Sequence, residues 1–456
     1  MYITNKCYKV YGKLLHIVIL IFVSLSFNGF AQGTFHLPNG VNSVKIPVEV
    51  TNNLVILPVT VNGTELSFLL DSGVKSNVLF SIDDQQDLKL NDAVTIYLTG
   101  AGSGEPTKGI KSQHNIINVG EASAIDQNIY FITDASYNFS SRLGHAVNGI
   151  IGYSIFKDFV VEVDYKRKFV VLHKPENYKY RRCKTCFTAP LTLVAGKPYI
   201  DLDVAIAKEE ELSLKLLVDS GSGDALWLFE ESHAQIKAGE KYFEDILGLG
   251  LNGDVLGKRT KVASIKLGKM ELNDVTAAFP NIESLKNMRL HENRNGSLGA
   301  EVLRRFTVIF DYPSQKITMR KNNMFNLPFR YNRSGLIVQH SDYELVKEVA
   351  NNISNRYGLY DEPSSQGTTV FKATNTIQFK LKPSYEIAAI RSGSPAEEAG
   401  LQEGDKLLKV NGRDVSNLKL DDITQYFFKD DGAMLRLKVE RSGIVFNCKF
   451  ALRKML

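Results

Sequence analysis

Apolar residues in this chain come in short runs, and polar turn residues punctuate them. Val55-Ile56-Leu57-Pro58-Val59-Thr60-Val61 leads into Asn62-Gly63, a strong hairpin signal between apolar segments. Glu65 to Leu70 then reads as the strand that ends at Asp71. Tyr199 to Ala205 and Leu212 to Val218 repeat this arrangement and end at Asp219. Two further hairpins are read at Phe159–Asp164 with Lys168–Leu172, and at Phe306–Asp311 with Lys316–Met319. Helical periodicity is scarce. Short helices are expected at Tyr153–Lys157 and Ala300–Arg305, and helix-period patterning also occurs at Tyr343–Asn352.

The pattern is duplicated. Phe68-Leu69-Leu70-Asp71-Ser72-Gly73 returns as Leu216-Leu217-Val218-Asp219-Ser220-Gly221, 148 residues later. Gly149-Ile150-Ile151-Gly152 returns as Gly296-Ser297-Leu298-Gly299, displaced by 147. The run from Phe159 to Tyr165 returns from Phe306 to Tyr312 at the same displacement. Ordered landmarks at nearly the same offset imply two copies of one β-rich unit.

From about Phe329 the duplication stops. Ser392-Gly393-Ser394-Pro395-Ala396 opens a short helix, with Pro395 in its first turn and Gly400 as its C-terminal cap. Leu407–Val410 follows as a strand ending in the Asn411-Gly412 turn. The polar stretch Asp361–Gly367 reads as a surface loop.

Composition narrows the class. The 456 residues suit about three ordinary domains. A net charge of +5 on this length argues against a nucleic-acid partner. The first 31 residues have the layout of a secretory signal peptide: Lys6, Lys9 and Lys13, an apolar run from Leu14 to Phe27, then Gly29-Phe30-Ala31. Without those three Lys the net charge falls from +5 to +2. Export to a periplasm, cell envelope or the medium, in a bacterial setting, is the expectation. Cys7 leaves with the segment, so Cys183, Cys186 and Cys448 remain, too few for a disulfide scaffold. Cys183-Lys184-Thr185-Cys186 has no second pair to complete a zinc site and reads as a local disulfide or two thiols. No His-Glu-x-x-His or Gly-x-Ser-x-Gly motif occurs, and neither metal nor cofactor is expected.

The chemistry lies in the two Asp-Ser-Gly turns. One alone is most simply a turn. Two of them, each ending an apolar strand in matched copies, can bring Asp71 and Asp219 face to face across a two-fold axis. Two close carboxylates share one proton. One then serves as general base on a water and the other as general acid on a carbonyl.

These motifs resemble the pepsin/retropepsin superfamily of aspartic proteases, over about residues 43–326. The resemblance implies Asp71 and Asp219 as the catalytic dyad. It also implies Ser72, Gly73, Ser220, Gly221 and Ser222 in the supporting loops, and Gly152 and Gly299 behind them. The flap is expected at Gly100, Ala101 and Gly102, with a counterpart at Gly248–Gly253. Val74 and Lys75 depart from the family pattern, because Lys75 either points to solvent or approaches the dyad and disturbs proton sharing.

The segment around Ser392–Gly412 resembles PDZ domains of secreted bacterial proteases. That implies a peptide-binding loop at Ser334, Gly335 and Leu336. The expected architecture is therefore mainly β: a signal peptide (1–31), two pseudo-symmetric aspartic-protease β-barrel lobes (43–175 and 187–326), and a PDZ domain (329–456) with an insertion at about 341–382. The expected function is an aspartic endopeptidase acting on protein or peptide substrates as a monomer, with a peptide ligand for the PDZ domain. The alternative is a catalytically inactive peptide-binding scaffold on the same fold.

Overall fold

A computed structural model describes residues 33–80, 87–98, 104–134, 139–208, 210–250, 253–288, 290–352 and 374–456, with the backbone alone for Glu210, 347–352 and 374–377. The signal-peptide segment 1–31, the flap candidates Gly100, Ala101 and Gly102, and the polar stretch Asp361–Gly367 lie outside the described residues.

The Asn62-Gly63 signal forms a hairpin. Asn62 (φ 48°) and Gly63 (φ 91°) both adopt the left-handed geometry that suits the strand twist. They join Leu54–Val61 to Thr64–Leu70. Leu54–Val61 is buried at nearly every position because it is paired on both sides, to Thr64–Leu70 and, at its end, to Thr107–Val119. These pairings belong to an eight-stranded sheet that closes on itself. Its strand order is Glu49–Thr51, Leu54–Val61, Thr64–Leu70, Gly149–Ile151, Asn77–Leu79, Ala122–Ile132, Thr107–Val119, Val94–Leu98. The second copy has the same order: Thr192–Val194, Lys197–Ala207, Glu210–Asp219, Gly296–Gly299, Leu226–Leu228, Met270–Pro280, Gly253–Leu267, Phe243–Gly250.

A six-stranded sheet joins the copies. Val160–Asp164 pairs antiparallel with its own duplicate, Phe306–Asp311, with Val160 opposite Asp311 and Asp164 opposite Thr307. Glu162 and Ile309, which are equivalent positions, face each other at the centre, so the pseudo-two-fold axis passes between them. The Asp of each Asp-Tyr pair closes the following turn. Asp164 accepts from the Arg167 N–H and Asp311 from the Ser314 N–H, both at 2.9 Å. One apolar core, from Phe35 to Phe329, runs through both copies and the sheet between them.

Cys183 and Cys186 form a disulfide, just ahead of the edge strand Cys186–Pro190. Cys448 is a buried free thiol.

The last sheet has its own core, built from residues such as Leu336, Ile387, Leu407, Phe427 and Val439. Its order is Leu336–Asn352, Thr374–Ile390, Lys406–Val410, Met434–Arg441, Ile444–Ala451. Pro395–Glu398 is a short helix whose N-cap, Ser394, accepts from the Glu397 N–H. Gly400 (φ 79°) ends it. The helix expected at Tyr343–Asn352 is instead strand. It pairs residue for residue with the next strand, out to Asn352 opposite Thr374. Leu345 opposes Leu381, and Glu344 opposes Lys382 one position away. A partner strand with matching period-two alternation resolves a pattern that one segment alone leaves ambiguous.

This domain is seated on both copies. The Thr51 hydroxyl donates to Asp421 (2.9 Å), and Gly144 packs on Leu420 so closely that a Cβ there would fall 2.6 Å from it. On the other side Tyr331 and Leu456 pack on Phe243. The Tyr331 hydroxyl accepts from the N–H groups of Met455 and Leu456. The chain reaches the domain past Arg305, which is fully buried. Its guanidinium pairs with Glu301 (3.0 Å), donates to the Phe325 carbonyl (3.2 Å) and lies 3.6 Å from the centre of the Phe329 ring. Arg305→Met should strip the Phe325 carbonyl of this donor and leave Glu301 with Arg304 as its remaining arginine partner. It should lower stability by about 3–5 kcal/mol, read from the denaturant midpoint; an unshifted midpoint would refute the assignment.

Candidate active site

Each Asp is delivered by a strand that ends in the protein interior. Thr64–Leu70 runs parallel to Gly149–Ile151, and the Asp71 N–H donates to the Ile151 carbonyl at 2.9 Å. In the second copy, Glu210–Asp219 runs parallel to Gly296–Gly299 with Asp219 opposite Gly299. Both supporting glycines press on the turns. A Cβ on Gly152 would fall 2.4 Å from the Asp71 carbonyl oxygen, and one on Gly299 would fall 3.0 Å from that of Ser222.

The two turns are bolted together. The Ser220 hydroxyl accepts from the Ser72 N–H (2.9 Å) and donates to the Leu70 carbonyl (2.9 Å). The Ser72 hydroxyl accepts from the Ser220 N–H (3.0 Å) and donates to the Val218 carbonyl (2.7 Å). Each Asp also accepts from the glycine N–H two residues on: Gly73 to Asp71 at 2.7 Å and Gly221 to Asp219 at 3.2 Å. The carboxylates face each other across the junction. A Cβ on Gly221 would lie 2.2 Å from Asp71 Oδ2, and one on Gly73 would lie 3.1 Å from Asp219 Oδ1. Beneath them the Tyr312 hydroxyl donates to the Ser72 carbonyl at 3.3 Å, and its duplicate Tyr165 is equally buried.

Burial, then the neighbouring Asp219 charge, pushes Asp71 up from 3.8 to about 7. The N–H groups of Gly73 and Gly221 and the charge of Lys197 oppose that rise. Burial also raises Asp219, against the pull of Arg294, Lys197 and the N–H groups of Gly221 and Ser222. Burial raises both carboxyls, so the two titrate together as a dyad, with the stabilising cations weighted towards Asp219. Lys75 is exposed and does not approach the pair. The nearby cations are Lys197, whose pKa burial lowers, and Arg294. Nothing in the sequence marks them, because a basic residue at the start of a strand or in a turn has no signature until the strand is placed.

The dyad opens into a cleft of about 360 Å³, lined by Phe80, Phe139, Trp227, Leu247, Met288 and Arg294 among others. Ser222 lines it too, as do Gly248 and Gly250 of the counterpart flap strand. Next to the undescribed flap candidates, the Gly104 carbonyl accepts from Asn287 of the second copy at 3.0 Å. Ser334, Gly335 and Leu336 lie apart from this cleft, in the last domain. Their N–H groups are occupied internally: Ser334 and Gly335 donate to Asn332 Oδ1 (3.0 and 3.1 Å), and Leu336 donates to the Ser334 hydroxyl (3.1 Å). The strand that follows lies against the helix Phe139–Leu143, which lines the cleft. Among the described residues no cluster of three His, Cys, Asp or Glu could hold a metal, and no helix is long and apolar enough to cross a membrane.

Comparison with known proteins agrees with this architecture. Residues 57–155 match the aspartyl protease family, and residues 386–441 match the PDZ domain family. The first match lies in the first copy of the duplicated unit, and the second lies in the last domain. A carboxyl-terminal-processing protease of Synechocystis sp. is 25% identical over 147 residues. That covers 30% of this chain, and this chain spans about a third (34%) of the relative. The crystal structure of an aspartic proteinase from Irpex lacteus aligns with a TM-score of 0.41 and 13% identity, over 62% of this chain and 99% of that one.

The raised Asp71 carries a stability consequence. Its folded value near 7 exceeds its ordinary 3.8, so its contribution to folding is full below about pH 4 and is lost as pH rises to 7. Asp71→Asn should therefore raise the melting temperature at pH 8 relative to the natural chain, with the gap closing at pH 4. An equal gap at both pH values would contradict the assignment.

Proposed function

We propose that the protein is an exported aspartic endopeptidase that acts as a monomer on protein or peptide substrates. The observation that carries this reading is the pair of mutually hydrogen-bonded Asp-Ser-Gly turns, which holds Asp71 against Asp219 at the floor of a cleft. One chain supplies both carboxylates, so a second copy is unnecessary.

Asp219, ionised beside Arg294 and Lys197, takes a proton from a water lying between the carboxylates. Asp71 donates its proton to the scissile carbonyl oxygen as the water adds, giving a neutral gem-diol. Asp219 then gives its proton to the leaving amine as the C–N bond breaks, and Asp71 takes back a proton from a gem-diol hydroxyl as the carboxylic acid forms. The N–H groups of Gly73 and Gly221 keep the carboxylates fixed, so little reorganisation is needed as charge moves. The segment 1–31 supports export by its basic, apolar and small-residue layout.

The decisive experiment is digestion of a peptide library by the purified chain lacking residues 1–31, from pH 3 to 8. Cleavage is expected, with kcat/KM declining as pH rises through about 7, where Asp71 loses the proton it must donate. Asp71→Asn and Asp219→Asn should each reduce kcat by about a thousandfold or more. Activity surviving both substitutions would exclude the dyad. Peptide binding without cleavage at any pH would favour the scaffold reading.

A further inference from the structure

The duplication lets the two walls of the cleft be compared position by position. Asn148 and Asn295 are equivalent, and they make the same bond: each side-chain oxygen accepts a strand N–H, from Ser67 at 2.8 Å and from Lys215 at 2.9 Å. The residue before each Asn therefore occupies the same place in its wall. In the first copy it is Val147, buried with Leu54, Leu69, Phe80 and Leu143. In the second copy it is Arg294, only 5% exposed. Two positions further along from the Asn, Ile150 in the first wall is replaced by Ser297 in the second. Both substitutions turn an apolar wall into a polar one at matched points.

Arg294 is held rigidly. Its Nε donates to the Gly296 carbonyl (3.1 Å), its Nη2 donates to the Ser297 hydroxyl (2.6 Å), and its guanidinium lies 5.1 Å from the centre of the Phe229 ring. These bonds leave Nη1 uncommitted, and no carboxylate forms an ion pair with Arg294 among the described residues. Among the described residues the cleft walls present two arginines, Arg142 and Arg294, and their only carboxylates are those of the dyad. Arg142 already has an acidic neighbour, Asp254, at 3.9 Å. Arg294 feels the Asp219 charge without pairing with it directly, so a carboxylate entering the cleft would give this buried guanidinium a hydrogen-bonded ion-pair partner.

We infer that Arg294 selects an acidic side chain. The preferred substrate would carry an apolar residue on the Val147 side of the scissile bond and Glu or Asp on the Arg294 side. This inference rests on the proteolytic reading of the same cleft. Such a site rejects the amide analogue because the amide leaves the buried charge unmatched.

The test uses peptide pairs that differ only by Glu against Gln beside the scissile bond, with an apolar residue on its other side and both orders of the two residues made. The natural chain should cleave the Glu member of one order about 10- to 100-fold faster in kcat/KM. Arg294→Met should bring that ratio towards one, read as a ratio because losing the charge beside Asp219 lowers the rate on both peptides, and Arg294→Lys should restore part of it. The Glu/Gln comparison on the natural chain needs no variant to fold. Equal cleavage of Glu and Gln peptides in both orders overturns acid selection and leaves proteolysis standing. Binding of the same labelled peptides to the Asp71→Asn chain, followed by fluorescence anisotropy, separates the two ideas. Discrimination in binding, with no cleavage by the natural chain, keeps acid selection and removes the protease reading.

Discussion

Two serine hydroxyls carry the organisation of this molecule. Ser72 and Ser220 each accept the other's backbone N–H and donate to a carbonyl at the end of the opposite strand. Two buried carboxylates at close range would otherwise repel each other and draw in water. The hydroxyl bonds tie the strand ends together at fixed separation, and the glycine N–H groups absorb part of the negative charge. Around this junction the rest of the double unit is symmetric support: two closed sheets with one strand order, and a central sheet whose middle pair is a strand and its duplicate.

The symmetry of the backbone is not kept by the charges. Lys197 and Arg294 both come from the second copy, and both pull on Asp219 more directly than any cation acts from the first. That bias makes the surroundings of two chemically identical groups unequal. The departure at Lys75, which on sequence grounds bore on the dyad, has no part in it because that side chain faces solvent.

Much of the architecture is legible in the residues themselves, for reasons that can be named. The Asp-Ser-Gly turns, the Gly-containing strands behind them and the Asp-Tyr hairpins recur at nearly the same offset, and each element's position follows from its copy. The Asn62-Gly63 turn and the cap at Gly400 are local backbone signals, readable without tertiary context. Lys197 and Arg294 are not legible, because their proximity to the dyad depends on strands distant in sequence being aligned. The strand Leu336–Asn352 escapes for a related reason: Tyr343, Leu345, Val346 and Val349 fit either period until the partner strand is seen. The internal satisfaction of the Ser334–Leu336 turn hinges on Asn332, a polar residue whose side chain folds back on its own chain.

The central pairing of Val160–Asp164 with Phe306–Asp311 also bears on how the molecule comes into being. Its paired residues are 143 to 151 positions apart, so this contact is among the slowest to close during folding. A chain emerging from synthesis completes its first eight-stranded sheet well before the second exists. Until Phe306–Asp311 arrives, the first copy holds a lone carboxylate and an exposed strand edge. The dyad is therefore incomplete in the nascent chain, and the unprotected edge makes that interval the one in which a folding helper would matter most.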